Sequence, residues 1–217
     1  MRWLVGLLAI VVIARGATGQ NAVFDWSELR PIPNAWGYAG MVGGVSHDAL
    51  IVAGGANFPD GRPWDGAIKR WHDHVYVLRD SETPWVRLET RLPRPSAYGA
   101  SVTWNDRVVV IGGGDAEKHH AACFTMKWTG SDIAFESLPD LPRPTAFHAA
   151  VLLGDRVYVF AGIEAPRATT CLDQWLALDL AGPPEAREWK ALPPLPAAPR
   201  MLAIAGAQAG CVYLIGG

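Results

Sequence analysis

The stretch Leu50-Ile51-Val52-Ala53-Gly54-Gly55 sets the fold of this chain, because the same ending returns three more times. It recurs at residues 108–113 (VVVIGG), 157–162 (VYVFAG) and 212–217 (VYLIGG). Counted from the first residue of each terminal pair, the intervals are 58, 49 and 55 residues. One apolar run per unit of about 50 residues marks a repeat architecture, in which each unit buries its faces against its neighbours.

The units share one internal order. A small apolar stretch comes first, at 96–102 (SAYGASV) and 145–151 (TAFHAAV), followed by a polar turn, Asn105-Asp106 or Gly154-Asp155, and then the run into the glycines. Two strands about a short Asn/Asp/Gly turn form a hairpin. Period-two alternation then predicts a third strand at His74–Leu78, Cys123–Trp128 and 174–178. A fourth begins at an aromatic three residues before a leucine: Trp85 and Leu88, Phe135 and Leu138, Trp189 and Leu192. Each ends in a proline-rich corner (92–95, 141–144, 195–199), where proline donates no ladder hydrogen bond. Four antiparallel strands per repeat of this length make an all-β, kelch-type β-propeller. No window carries a helical period, which excludes stacked βα units.

The two ends are incomplete on this ruler. Residues 24–33 (FDWSELRPIP) carry a fourth-strand motif with no strands before it, and 200–217 supply a first and second strand only. Three whole blades and two partial ones fall short of a ring, so the expectation is a C-terminally truncated piece of a six-bladed parent. Alone, it is expected to be inactive and poorly soluble. Residues 1–19 precede the propeller domain (20–217) and read as a signal peptide. Arg2 is the positive start, 3–13 the apolar core, and Ala17-Thr18-Gly19 the small residues before cleavage. That core is too short to cross a bilayer. Export to the periplasm or beyond is therefore expected, with no membrane association after cleavage.

Without Arg2 and Arg15 the chain holds 17 basic and 21 acidic residues, and no run of cations tracks a phosphate backbone, so nucleic acid is not expected as a partner. Oligomeric state is left open. The three cysteines leave at least one thiol unpaired, and all three are expected to pack as small hydrophobes.

More specific text lies in the first repeats: residues 53–64 (AGGANFPDGRPW), 69–73 (KRWHD), 94–101 (RPSAYGAS) and Trp104-Asn105. This resembles the N-acetylneuraminate epimerase (sialic acid mutarotase) family of kelch propellers, in its cyclically permuted branch. The resemblance implies a periplasmic, cofactor-independent isomerase that interconverts the anomers of sialic acid, with that small sugar acid as partner. It also implies a catalytic Glu and Arg, in a Gly-Glu motif followed by Arg six residues after the Glu, in a blade expected downstream of Gly217. Glu164 and Arg167 imitate that motif loosely, at a spacing of three and in another blade.

Loops after the glycine endings, and those entering each first strand, line one mouth of a kelch propeller. Here they offer Asn57, Tyr98, Asp115, Phe147, His148, Glu164, Arg167 and Arg200. Anomer exchange needs a base for the anomeric hydroxyl and an acid for the ring oxygen. Glu164 could serve as that acid or base, with Arg167 or Arg200 clamping a carboxylate by two parallel donors. Each of these residues could equally be a solvated loop charge. Arg70, within Arg70-Trp71-His72-Asp73, either sets a cation and an aromatic platform over a sugar face or braces the start of a strand. Adjacent His119 and His120 point apart on an extended segment, and no metal is expected. The competing function is a non-catalytic propeller that binds a glycan or a protein at the same mouth.

Overall fold

The computed structural model describes residues 27–217; the segment read above as a signal peptide and the front of the leading motif, Phe24 to Trp26, lie outside the described residues. Sixteen strands run in chain order: β1 Val42–Ser46, β2 Ala49–Ala53, β3 Ala56–Asn57, β4 Arg70–Trp71, β5 His74–Leu78, β6 Val86–Arg91, β7 Ala100–Trp104, β8 Arg107–Ile111, β9 Cys123–Trp128, β10 Ile133–Leu138, β11 Ala149–Leu153, β12 Arg156–Phe160, β13 Trp175–Asp179, β14 Lys190–Ala191, β15 Ile204–Gln208 and β16 Cys211–Ile215. They form three four-stranded antiparallel sheets, β1-β2-β5-β6, β7-β8-β9-β10 and β11-β12-β13-β14, then the hairpin β15-β16. The innermost strands stand side by side, β1 against β7, β7 against β11 and β11 against β15. These are consecutive blades of a β-propeller. Among the described residues there is no α-helix, and none long and apolar enough to cross a membrane.

Apolar runs in the second strands are continuous because both faces of a blade are covered. On β8, Val108 and Val110 face the first blade and pack with Ile51, Ala53, Val75 and Val77. Val109 and Ile111 face the third blade and meet Val157, Val159, Leu176 and Leu178. Each such valine is fully buried, which contributes roughly 1.5–3 kcal/mol apiece. The hairpin β15-β16 rests one face, Ala205, Val212 and Leu214, on the third blade. Its other face leaves Ile204, Tyr213 and Ile215 exposed.

The glycine endings turn out to be latches between blades. The second member of each pair donates its N–H to the next blade: Gly55 to Ser96 O (2.8 Å), Gly113 to Thr145 O (2.9 Å) and Gly162 to Arg200 O (2.9 Å). The first member is left-handed, at φ +70° in Gly54 and +57° in Gly112, and a Cβ there would collide with the Ser96 or Thr145 carbonyl. In the third blade Ala161 takes the same conformation at φ +60°, so a Cβ is accommodated there.

Several sequence expectations are corrected. The first strands begin at Ala100 and Ala149, later than the apolar stretches suggest, because Tyr98 and Phe147 adopt positive φ and interrupt extension. The third strand of the third blade starts at Trp175; Gln174 instead caps the latch, its Nε2 donating to Ala161 O at 3.0 Å. Residues 27–33 carry no strand, and Arg30 O accepts a hydrogen bond from Trp85 Nε1 at 2.8 Å. Of the cysteines only Cys123 is buried; Cys171 is half-buried and Cys211 exposed, because β16 has one open face. The pair β3–β4 was not foreseen: it is a two-residue ladder too short for any period to show.

Candidate functional site

At one end of the inner strands, four equivalent residues repeat a single conformation. Gly40, Tyr98, Phe147 and Leu202 all have positive φ, +68°, +62°, +58° and +62°. Each of the last three donates its N–H to the carbonyl of the one before: Tyr98 to Gly40 (2.8 Å), Phe147 to Tyr98 (2.8 Å) and Leu202 to Phe147 (2.9 Å). This belt crosses from blade to blade. A left-handed non-glycine residue costs on the order of 1 kcal/mol, offset here by a hydrogen bond that joins two blades. Its effect is to turn the side chains of Tyr98 and Phe147 together, stacked at 4.5 Å between centroids and 19° between planes. Tyr98 needs Gly40 beside it, since a Cβ at that position would occupy the space of the tyrosine ring.

Next to this stack opens a cleft of about 450 Å³, lined by Trp36, Tyr38, Asn57, Arg62, Lys69 and Tyr98 among others. Asn57 is buried and fully committed. Its Nδ2 donates to Gly37 O at 2.8 Å, and its Oδ1 lies 2.8 Å from Nε2 of His72. Behind it Tyr38 hydroxyl meets Nδ1 of His74 (3.0 Å) and the Tyr76 hydroxyl (2.9 Å). Burial, aided by Tyr76, pushes the Tyr38 phenol up to about 12, and burial holds His72 and His74 below the usual imidazole range. This wall is thus neutral at pH 7. Lys69 hydrogen-bonds the Tyr98 hydroxyl, with its Nζ 4.5 Å from the Tyr98 ring centroid and 5.0 Å from that of Trp71.

Of the sequence candidates, the cleft brings together Asn57 and Tyr98, with Phe147 stacked behind. Arg70 is exposed and pairs with Asp60 at 3.5 Å. Asp115 lies in the next blade's loop. Burial would raise its carboxyl, but the N–H groups of Lys118 and Glu117 and nearby His120 outweigh that and hold it low. Its carboxylate is 3.3 Å from His120 Nε2. His148 is buried with neither ring nitrogen hydrogen-bonded, and burial lowers it to about 4, so it is a neutral packing residue and not an open-mouth group. Arg200 turns back on its own hairpin and donates to Gly216 O at 3.0 Å. Glu164 is exposed, 3.7 Å from Arg143, and Arg167 is exposed beyond it. Neither arginine is among the residues lining the cleft.

His119 sends Nδ1 to Ile163 O at 3.0 Å while His120 faces Asp115, so the adjacent histidines do diverge. Among the described residues no set of three His, Cys, Asp or Glu is placed to hold a metal ion. A tighter recess of about 310 Å³ lies on the flank between the first two blades, against Val42, Leu92, Val110, Cys123 and Phe135. Its rim also carries Arg94, His120, Glu136 and Asp140, and it shares no lining residue with the cleft. The residues that sequence reasoning missed are Lys69, Arg62, Trp36 and Tyr38. Lys69 and Arg62 carried a signal only as members of the quoted stretches KRWHD and AGGANFPDGRPW.

Comparison with known proteins places this geometry in a family. The family model for N-acetylneuraminate epimerase matches residues 8–135. The N-acetylneuraminate epimerase of Yersinia pestis (strain Pestoides F) is 36% identical over 135 residues, covering 54% of this chain and 33% of that protein. That of Pasteurella multocida (strain Pm70) is 33% identical over 141 residues, covering 57% and 37%. The solved structure of YjhT superposes with a TM-score of 0.75 at 17% identity, over 91% of this chain and 64% of that one. This chain spans about a third of the length of the curated relatives it matches. The family match takes in the first blade, the cleft and the Tyr98 belt residue, and on that match over more than half its length the chain belongs to the N-acetylneuraminate epimerase family.

Proposed function

We propose that this chain forms part of the substrate mouth of an exported epimerase that interconverts the anomers of N-acetylneuraminate without a cofactor. The observation that carries the reading is the coincidence of the family match with the blade that builds the cleft. A cleft with aromatic walls, a few polar groups and positive charge suits a small acidic sugar. Ring opening requires a base at the anomeric hydroxyl and an acid at the ring oxygen. The chain's own part is to bind and orient: Asn57 holds the wall rigid, and the Tyr98–Phe147 stack gives a flat floor.

A second reading, a glycan-binding propeller without catalysis, is favoured by one feature. Among the described residues lining the cleft there is no carboxylate to act as base. Proton NMR of freshly released α-N-acetylneuraminate separates the two. Relaxation to the β anomer faster than in buffer, at micromolar concentrations of the natural protein, supports the epimerase; a buffer-only rate leaves the binding module. Export is tested by the N-terminus of the protein from a periplasmic extract, which should begin at Gln20.

A further inference from the structure

Lys69 is one of four lysines in the chain, and it alone of the four lines the cleft. Lys190 sits 3.9 Å from Glu188, and Lys118 lies beside Asp115. Lys69 is half-buried in the cleft, with no carboxylate partner among the described residues. The Trp71 and Tyr98 rings hold it by their electron-rich faces, and the Tyr98 hydroxyl accepts one of its protons. Two ammonium N–H groups remain, and the tyrosine hydroxyl, which accepts from Lys69 through an oxygen lone pair, keeps its own O–H to donate. Arg62 stands on the same cleft, so its charged lining is two cations and no anion. A concave site of one sign draws in the opposite charge.

We infer that Lys69, with the Tyr98 hydroxyl, is the carboxylate-recognising pair of this cleft and determines its preference for acidic over neutral sugars. This inference rests on the sugar-acid reading above and assigns the clamp to a residue other than Arg167 or Arg200. A lysine ammonium beside a phenol hydroxyl gives a carboxylate two convergent donors, while the aromatic side chains of Trp36, Tyr38 and Phe58 are left for the apolar face of the sugar.

The test compares binding of N-acetylneuraminate, its neutral methyl ester and glucuronate to the natural protein and to Lys69→Met, by calorimetry. The expected result is a preference for N-acetylneuraminate over the ester of at least about tenfold, abolished in Lys69→Met by loss of acid binding alone. Should Lys69→Met not fold, reductive 13C-dimethylation of the wild type gives a second measurement. The Lys69 methyl signal should shift on addition of the acid and stay put with the ester. An acid preference that survives Lys69→Met, a Lys69 signal indifferent to the acid, or equal wild-type affinity for acid and ester overturns the inference while leaving the family reading intact. Lys69-dependent binding of glucuronate in preference to N-acetylneuraminate upholds the clamp and overturns the sialic acid reading. Binding of neither acid overturns both.

Discussion

The backbone N–H of Phe147 donates to the carbonyl of Tyr98 at 2.8 Å, and the same two residues stack their rings at 4.5 Å. One contact is interblade architecture and the other is the floor of the candidate site. They cannot be separated, because the left-handed backbone that permits the hydrogen bond also aims the ring.

Gly40 is the steric partner of that arrangement. Gly40→Ala should displace the Tyr98 ring and add left-handed strain, destabilising the protein by about 2 kcal/mol. Urea denaturation reads the loss, and near-UV circular dichroism reads the moved tyrosine. An unchanged midpoint would mean that the Tyr98 ring gives way to a Cβ at Gly40 without cost.

Asn57→Ala removes the acceptor for His72 and the donor to the Gly37 carbonyl in a buried place. The expected cost is about 1–3 kcal/mol, larger than for Arg70→Ala, whose pair with Asp60 is solvent-exposed and should change stability by less than about 1 kcal/mol. Thermal melts of the two variants at pH 7 check the order.

Acid should destabilise the fold through His148. Its folded-state value is about 4, below the ordinary imidazole value of 6.5, so between those limits the unfolded chain binds the extra proton. The stabilisation is therefore complete above pH 6.5 and is lost as pH falls towards 4, on the order of 3 kcal/mol in all. His72, His74, His119 and His120 are lowered in the same direction, also by burial. His148→Leu should flatten the slope of unfolding free energy against pH over that window; an unchanged slope would place the acid sensitivity elsewhere.

Thiol titration should separate the three cysteines. Burial pushes the Cys123 thiol up to about 12, so it should react with a disulfide reagent only after unfolding. Cys211 should react at once and Cys171 more slowly. Rapid modification of Cys123 in native buffer would show that the interblade groove opens.

Residues 108–113 show how much the chain declares by itself. A continuous apolar run ending in glycines says that both faces are buried and that the backbone then turns left-handed, and both follow from local chemistry. Period, strand pairing and blade order were legible for that reason, while the family resemblance rested on the specific text of residues 53–64, 69–73 and 94–101. The cleft was legible only in part. Asn57, just past a glycine ending, and Tyr98, just before a first strand, hold places in a propeller that the repeat makes predictable, whereas Arg200 has the right position but points its guanidinium at Gly216.

Sequence alone therefore determined the repeat, because hydrophobic alternation and glycine conformation act within a few residues of the chain. Tertiary structure decided which side chains share the mouth. Lys69 and Tyr98 are 29 residues apart in different blades, and Tyr98 and Phe147 meet through a backbone hydrogen bond and a ring stack between blades. No local pattern encodes those contacts. They exist because adjacent blades pack face to face and bring equivalent turns to the same end of the inner strands.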